Sequence, residues 1–487
     1  MSGNETTLKR SLSPVNVWAL ALGCIIGWGA FVMPGDNFLR NAGPAGAAIA
    51  LGLASVLILI IAANYHYMIN KFPVAGGVFT FAQKAFGRTS AFICAWFVCL
   101  SFLSIVPLNA TALALVGRNL LNGIFQFGFH YAIAGYDVYL GEVILAVAAL
   151  VLIAWLSIRG VKTAGVFQTV LALSLVTGVA IIALAALFSA KTSWHSLAPA
   201  FHPDHSPIAG ILAVLAITPW AFLGFDTVTY SAEEFNFSPR KSRGILVVAV
   251  LFGGLVYVVL NTITAAVVPD GFATWQEYID ASRSLSGIRS LPTFNAAREL
   301  LGLSGLIFLG IAVLAAILSG IIGFYMATSR LLYAMAQMHY VPQWFGRLHP
   351  RYNTPVNAIL FVMAVSIVAP FFGRTALGWI VDISAVGATI GFGYTSAAAL
   401  KFARAEGRSW VVFSGLTGLL ISLFFAVILL IPIPAFPGSL GRETYLCLAV
   451  WTALGVLFYL GANKSLQAHE CDSYSPRGGF DSGTARV

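Results

Sequence analysis

Residues 23–35 read Gly23-Cys-Ile-Ile-Gly-Trp-Gly-Ala-Phe-Val-Met-Pro-Gly35 and follow directly from an apolar run that begins at Val15. The run is long enough to cross a bilayer, yet it carries four glycines and a proline where a plain membrane helix would carry Leu and Ala. A helix interrupted at membrane depth exposes N–H and C=O groups that lipid cannot satisfy, so a break is tolerated only where protein covers it or a polar cavity adjoins it. Gly27-Trp28-Gly29 is therefore read as the floor of a substrate site.

The rest of the chain fits that reading. Of 487 residues, 59% are hydrophobic and only 9% charged, with a mean hydropathy of +0.87. Soluble domains carry about 25% charged residues. At about 20 apolar residues per crossing, twelve spans are expected, near 15–33, 45–66, 90–117, 138–158, 164–189, 208–232, 244–268, 303–330, 355–372, 376–400, 411–433 and 444–462. Most of the 27 Lys and Arg residues, from Lys9 and Arg10 through Arg240, Lys241 and Arg243 to Lys464, Arg477 and Arg486, fall on one side if both termini are cytoplasmic. Positive residues stay inside, so the net charge of +9 reads as attraction to anionic lipid and not to nucleic acid. The five cysteines show no paired framework and read as small core residues. No cleavable leader is expected. The segment 71–88 is amphipathic and is expected to lie on the membrane surface.

A second irregular span runs from Thr218 to Glu234 and contains Pro219, Trp220, Gly224 and Asp226. Pro219 has no N–H, and a carboxylate at mid-membrane costs about 2.5 to 3.5 kcal/mol on insertion scales. Asp226 must therefore face the bundle or a cavity. It could bind a substrate amine, carry a proton or cap the restarted helix. Gly27 and Gly224 fall at corresponding places in two five-span units, and an odd number of spans inverts the second unit. Inverted repeats with paired broken helices are the architecture of many secondary transporters. The expected organisation is a cytoplasmic tail 1–14, a core 15–404 made of repeats at about 15–189 and 208–404, two further helices over 405–462, and a cytoplasmic tail 463–487.

Four motifs in order, Gly23-x-x-Ile-Gly-x-Gly-x-Phe31, Phe72-Pro-x-Ala-Gly-Gly77, Gly224-Phe-Asp226 with Glu233-Glu234, and Arg330-x-x-Tyr-Ala-Met-Ala336, resemble the amino acid-polyamine-organocation permeases. Their sixth-span version is most similar to the cationic amino acid transporter-like branch. The resemblance implies an all-α integral membrane protein of the leucine-transporter fold, with a five-plus-five inverted repeat and broken first and sixth helices. It implies that substrate carboxylate meets Ile26, Gly27, Trp28 and Gly29, and that its amine meets carbonyls of Phe222, Leu223 and Phe225 beside Asp226.

Trp28 takes a place that is often small in that family, and reads as a wall, a gate, a cation-π surface or core packing. Trp220 lines the pocket or contacts core or lipid. Some proton-coupled relatives carry a lysine in the fifth span, where this chain has Ser174 and no lysine between Lys162 and Lys191. Sodium, another proton carrier or exchange without a co-ion remain open, with Ser174 and Ser319 as the residues to examine for ion coupling. No cofactor is expected.

The implied function is uptake of an amino acid or related amine across the plasma membrane by alternating access, as importer or exchanger. The branch suggests a basic amino acid, while a neutral amino acid, a polyamine or ethanolamine would use much the same backbone. An enzyme would need a nucleophile–base pair or metal group at membrane depth, and His66 alone lies near a helix end there. A nutrient sensor of this architecture would carry longer tails. Glu233 and Glu234 read as an inner gate or a charge pair near Arg240, Lys241 and Arg243. His195, His202, Asp204 and His205 read as a solvated loop in preference to a metal group.

Overall fold

The computed structural model describes residue 8 and residues 10–121, 123–133, 136–204, 206–373, 375–431 and 440–473. Lys9, His205, Arg477 and Arg486 lie outside the described residues, as does the side chain of Lys464. The helices are α1 (Pro14–Ile25), α2 (Gly29–Met33), α3 (Leu39–Lys71), α4 (Gly77–Phe86), α5 (Arg88–Leu120), α6 (Leu140–Ile158), α7 (Val161–Phe188), α8 (Pro207–Ala216) and α9 (Thr218–Ala221). They continue with α10 (Ser242–Ala266), α11 (Trp275–Ala281), α12 (Pro292–Leu301), α13 (Leu303–Gln337), α14 (Val356–Ser366), α15 (Thr375–Ala405), α16 (Ser409–Leu430) and α17 (Arg442–Ser473). Among the described residues nine helices are long and apolar enough to cross a membrane, or ten if the bent pair Pro207–Ala216 and Thr218–Glu234 is one span. This is an all-α membrane protein.

Local chemistry sets the ends. Ser13 caps α1, accepting from Asn16 N–H at 3.2 Å while the Asn16 side chain accepts from Ser13 N–H at 3.2 Å, and Pro14 occupies a first-turn position where its missing N–H costs nothing. The helices pack through small residues, as membrane bundles do when close backbone approach replaces the hydrophobic drive. A Cβ at Gly323 of α13 would run into the Cys24 thiol of α1, and one at Gly23 would run into Ser319.

Several expectations are corrected. Segment 71–88 does not simply lie on a surface: Val78, Phe79, Phe81 and Ala82 of α4 are fully buried, packed against α5, α15 and the 3-10 segment Phe225–Glu234. A β-hairpin, β1 (His130–Ile133) paired with β2 (Tyr136–Tyr139), stands where no strand was expected. The loop after α10 carries α11 and α12, and Trp275 is fully buried in a small core with Leu39, Ala265 and Ile279. The expected tail from 463 continues as helix to Ser473. His202 is buried, its ring 6.0 Å from that of Trp275, and is not solvated.

One end of the bundle is fastened by charge. Glu234, fully buried, pairs with the equally buried Arg330 at 3.0 Å and not with the Arg240–Arg243 group. The chain before α1 joins the same lock: Ser11 and Leu12 N–H donate to Glu234 O at 2.9 and 3.0 Å, and Asn236 N–H donates to Leu12 O at 3.0 Å. Removing one member of a buried pair strands the other charge and costs about 3 to 5 kcal/mol. Arg330→Met should therefore lower the melting temperature of the purified protein strongly, with Glu234→Gln/Arg330→Met recovering part of the loss. A single variant that melts like the parent would remove this pair as a fastening.

Candidate functional site

The first break follows Ile25. Ile26 ends the α1 hydrogen bonds by donating to Leu22 O at 2.9 Å, and the helix restarts with Ala30 N–H on Gly27 O and Phe31 N–H on Trp28 O. Between them the N–H groups of Gly27, Trp28 and Gly29 donate to no acceptor among the described residues. The second break lies between α9 and the 3-10 segment, where Gly224 adopts φ +127, a conformation that disfavours any residue with a Cβ. A Cβ there would also stand 2.6 Å from the Cys24 carbonyl carbon. The two breaks therefore touch, backbone against backbone. Around the second, the carbonyls of Phe222 and Leu223 accept no bond among the described residues.

Gly27, Trp28, Gly29, Trp220 and Leu223 line one cavity together with Asn109, Tyr257 and Phe324. Its volume is about 20 Å³, room for about one water molecule. The Trp28 and Trp220 rings close over it, centroids 6.1 Å apart and tilted by 59°. Trp28 also lines a second cavity of about 270 Å³, with Asp36, Asn37, Arg283 and Asp382 around it. The Trp28 indole thus stands as the partition between the two. Its Nε1 is buried without a partner, as is Asn109 Oδ1. Gly27 faces that oxygen, since a Cβ there would lie 3.9 Å from it with nothing nearer. The Asn109 amide nitrogen bonds back to Ile105 O at 3.0 Å, so only its acceptor is left over.

Ile26, Phe222, Phe225 and Asp226 are buried but do not line the small cavity. The Phe225 ring packs on Tyr65 and Phe392, with centroids 5.1 and 5.4 Å away. Asp226 Oδ1 accepts from Gly224 N–H at 3.0 Å. With the Thr227 N–H ahead of it as a further backbone partner, Asp226 serves the backbone freed at the break from within the first turn of the restarted segment. Ser319 is fully buried against Gly23 and accepts a hydrogen bond from Gln168 Nε2. Ser174 is half-buried, about 240° around α7 from Gln168, so the structure brings Gln168 and not Ser174 to α1. Among the described residues no three His, Cys, Asp or Glu side chains converge on a point that could hold a metal.

The residue that sequence reasoning missed is Tyr257 of α10. Its hydroxyl lies 3.3 Å from Ile25 O and 3.1 Å from Ala221 O, one donor serving the carbonyls at both breaks. A single phenol one turn before Asn261 in a largely apolar span was the available signal. Chemically the cavity offers unpaired N–H groups at the first break and the Trp28 indole as donors, and as acceptors Asn109 Oδ1, which faces Gly27, and the unpaired Leu223 carbonyl of the second break. Donors suit an anion and acceptors a cation, which is the dipolar pattern of a zwitterion.

The amino acid permease family matches residues 12–457. The chain belongs to that family. A branched-chain amino acid permease of Bacillus subtilis, BcaP, is 26% identical over 75% of this chain and 75% of its own. The methylthioribose transporter of the same organism is 23% identical over 93% of both chains. Cationic amino acid transporter 4 of Mus musculus is 26% identical over 83% of this chain and 62% of its own.

In this permease Tyr257→Phe would leave two buried carbonyls without a donor, at about 1 to 3 kcal/mol each where no water replaces it. The expected result is a lower melting temperature with little change in expressed amount. An unaltered melt would show that the phenol does not hold the breaks.

Proposed function

We propose that this permease is a secondary active transporter that carries a neutral amino acid across the plasma membrane by alternating access. The observation that carries the substrate class is the lining of the small cavity. It has unpaired N–H donors at Gly27, Trp28 and Gly29 for the α-carboxylate and the acceptors Leu223 O and Asn109 Oδ1 for the α-amine. Its walls include the side chains of Trp28, Ile105, Leu108, Trp220 and Phe324, and no acidic residue lines it. A basic substrate would bury a second positive charge with no counter-charge, a cost of several kcal/mol. An apolar side chain meets no such penalty. BcaP is a precedent for the neutral class and the cationic transporters for the other.

The architecture proposed is twelve spans with both termini cytoplasmic. Pro14–Lys71 runs for 58 residues, about 87 Å if wholly helical against a hydrocarbon core of about 30 Å. Counting it as two crossings, the bent pair as one and the shorter apolar Val356–Phe372 as one brings the nine to twelve. The two broken spans enter from opposite ends of the bundle and meet at Gly224 and Cys24, as expected of inverted five-helix repeats at about 15–189 and 208–404 followed by two more helices. For coupling we favour the Gln168–Ser319 contact beside Gly23 over Ser174, with sodium or a proton as the ion. Trp28 serves as the gate on the side of the larger cavity, and the Glu234–Arg330 lock closes the other.

Uptake into proteoliposomes tests the reading. A labelled panel of neutral, basic and acidic amino acids, polyamines and ethanolamine is offered under a proton gradient, a sodium gradient or neither. Gradient-driven accumulation of neutral amino acids is expected, and accumulation of lysine or arginine in their place would overturn the substrate class. Uptake only into preloaded vesicles would make the protein an exchanger.

Gly27→Ala puts a methyl group into the small cavity and should reduce uptake about tenfold or more with the melt unchanged, because one methyl approaches the whole free volume. Gly29→Ala is a poorer probe, since its Cβ would displace the Trp220 ring. Normal uptake by Gly27→Ala would place the substrate elsewhere. Trp28→Ala should broaden selectivity toward larger neutral side chains, and an unchanged profile across the panel would assign Trp28 to packing.

A further inference from the structure

A separate cavity of about 740 Å³ opens at one end of the bundle, with α3 as its back wall and α10 and α16 as its sides. Its composition changes along its depth in the same way on all three helices. At the mouth stand His66 and Asn70 of α3, Arg240 and Arg243 beside and within the first turn of α10, and Arg408 and Trp410 at the start of α16. Further in, each helix turns apolar: Leu59 and Ala62 on α3, Leu246 and Val247 on α10, Val411 on α16. The mouth is cationic, and two of its three arginines are not spent on carboxylates. Among the described residues neither Arg240 nor Arg243 forms an ion pair. Arg408 pairs with Glu406 at 3.0 Å, but Glu406 is already engaged by Lys71 and by the Tyr67 hydroxyl at 2.9 Å, and hydrogen bonds from those two hold its carboxyl below the usual range. At the mouth, His66 Nδ1 meets Ser242 Oγ at 2.8 Å and Asn70 Nδ2 at 3.1 Å, which fixes the ring there.

We propose that this cleft is a binding site for an anionic phospholipid, with the phosphate held by Arg240, Arg243 and Arg408 and an acyl chain lying along α3 between α10 and α16. Guanidinium groups are matched to phosphate oxygens by charge and by bidentate geometry. The apolar depth distinguishes a lipid from a free phosphate, which would use the mouth alone. Trp410, 73% exposed, stands at the mouth, and an indole favours the head-group level of a membrane. Because α3 and α10 also pack on one another and α10 packs on α1, the lipid would brace the helices that hold the broken span.

The test uses the full chain in phosphatidylcholine nanodiscs carrying increasing fractions of phosphatidylglycerol with brominated acyl chains. The Trp410 signal is taken as the difference between the parent and Trp410→Phe. Quenching should saturate at a low phosphatidylglycerol fraction, and Arg240→Gln and Arg243→Gln should each shift the half-point about fivefold. Arg240→Lys and Arg243→Lys, which keep the charge but lose the bidentate geometry, should recover only part of the affinity. Arg351→Gln, which removes an exposed charge elsewhere on the chain, should shift nothing.

Native mass spectrometry of the unmodified protein should retain phosphatidylglycerol in preference to phosphatidylcholine, a comparison that needs no variant. Equal quenching by brominated phosphatidylcholine would overturn the site. So would an Arg351→Gln shift as large as those of Arg240 and Arg243, which would mean diffuse surface charge. Displacement of the lipid by millimolar inorganic phosphate would make the site one for the free anion.

Discussion

Backbone polarity inside an apolar bundle is the constraint on which this structure depends. Interrupting α1 after Ile25 and the sixth span at Leu223–Gly224 frees amides and carbonyls where neither lipid nor bulk water can reach them. The bundle answers unevenly. Carbonyls at Ile25 and Ala221 share the Tyr257 hydroxyl, and Gly224 N–H is met by Asp226. The amides of Gly27, Trp28 and Gly29 and the carbonyls of Phe222 and Leu223 are left over. What is satisfied holds the break open as a fixed shape, and what is unsatisfied is available to a solute. A buried polar group without a partner costs about 1 to 3 kcal/mol, so the unpaired set is a standing destabilisation that a bound zwitterion would relieve.

The barriers on the two sides of the cavity differ in kind. On one side the closure is the Trp28–Trp220 pair, and an aromatic contact of that sort is worth about 0.5 to 1.5 kcal/mol beyond burial. On the other side stand the buried Glu234–Arg330 pair, the backbone bonds from Ser11, Leu12 and Asn236, and the packed face of α4. Separating a buried pair costs several times more than tilting an indole. The side facing the larger cavity should therefore open more readily, and the Arg330 side should open only when something compensates the stranded charges. A permease that exchanges access between its two faces needs such inequality to be reversible by what it binds.

The breaks themselves were legible in the sequence. Gly27, Gly29, Pro219 and Gly224 are residue types that a continuous membrane helix does not accumulate, and the helices do stop within a few residues of them. Residues that act through reach across the bundle were not legible. Tyr257 lies in a continuous helix with no break, and its role depends on two carbonyls contributed by other helices. Gln168 is one of several polar residues of the fifth span, and only the packing of α7 against α1 and α13 sets it apart from Ser174. Periodicity failed at 71–88 for a related reason: an apolar face looks the same whether lipid or protein covers it. The Glu234 partner was misplaced because proximity in sequence pointed to Arg240 and Arg243, while the fold supplies Arg330 from α13.

The distribution of chemistry in the site explains why family membership and motif resemblance leave the substrate open. In the proposed site, main-chain amides and carbonyls at the breaks would meet the part that all amino acids share, and glycines would preserve that contact whatever the cargo. Selectivity must come from side chains that line the remaining volume, here Trp28, Ile105, Leu108, Trp220 and Phe324. These are positions where relatives can differ without disturbing the breaks, which accounts for relatives named for branched-chain and for cationic amino acids within one family. Trp28 carries a double burden in this arrangement, because it lines both cavities. As the proposed gate, Trp28 would tie the size of the admitted cargo to the opening between the two cavities, so substrate preference and access would not vary independently at that residue.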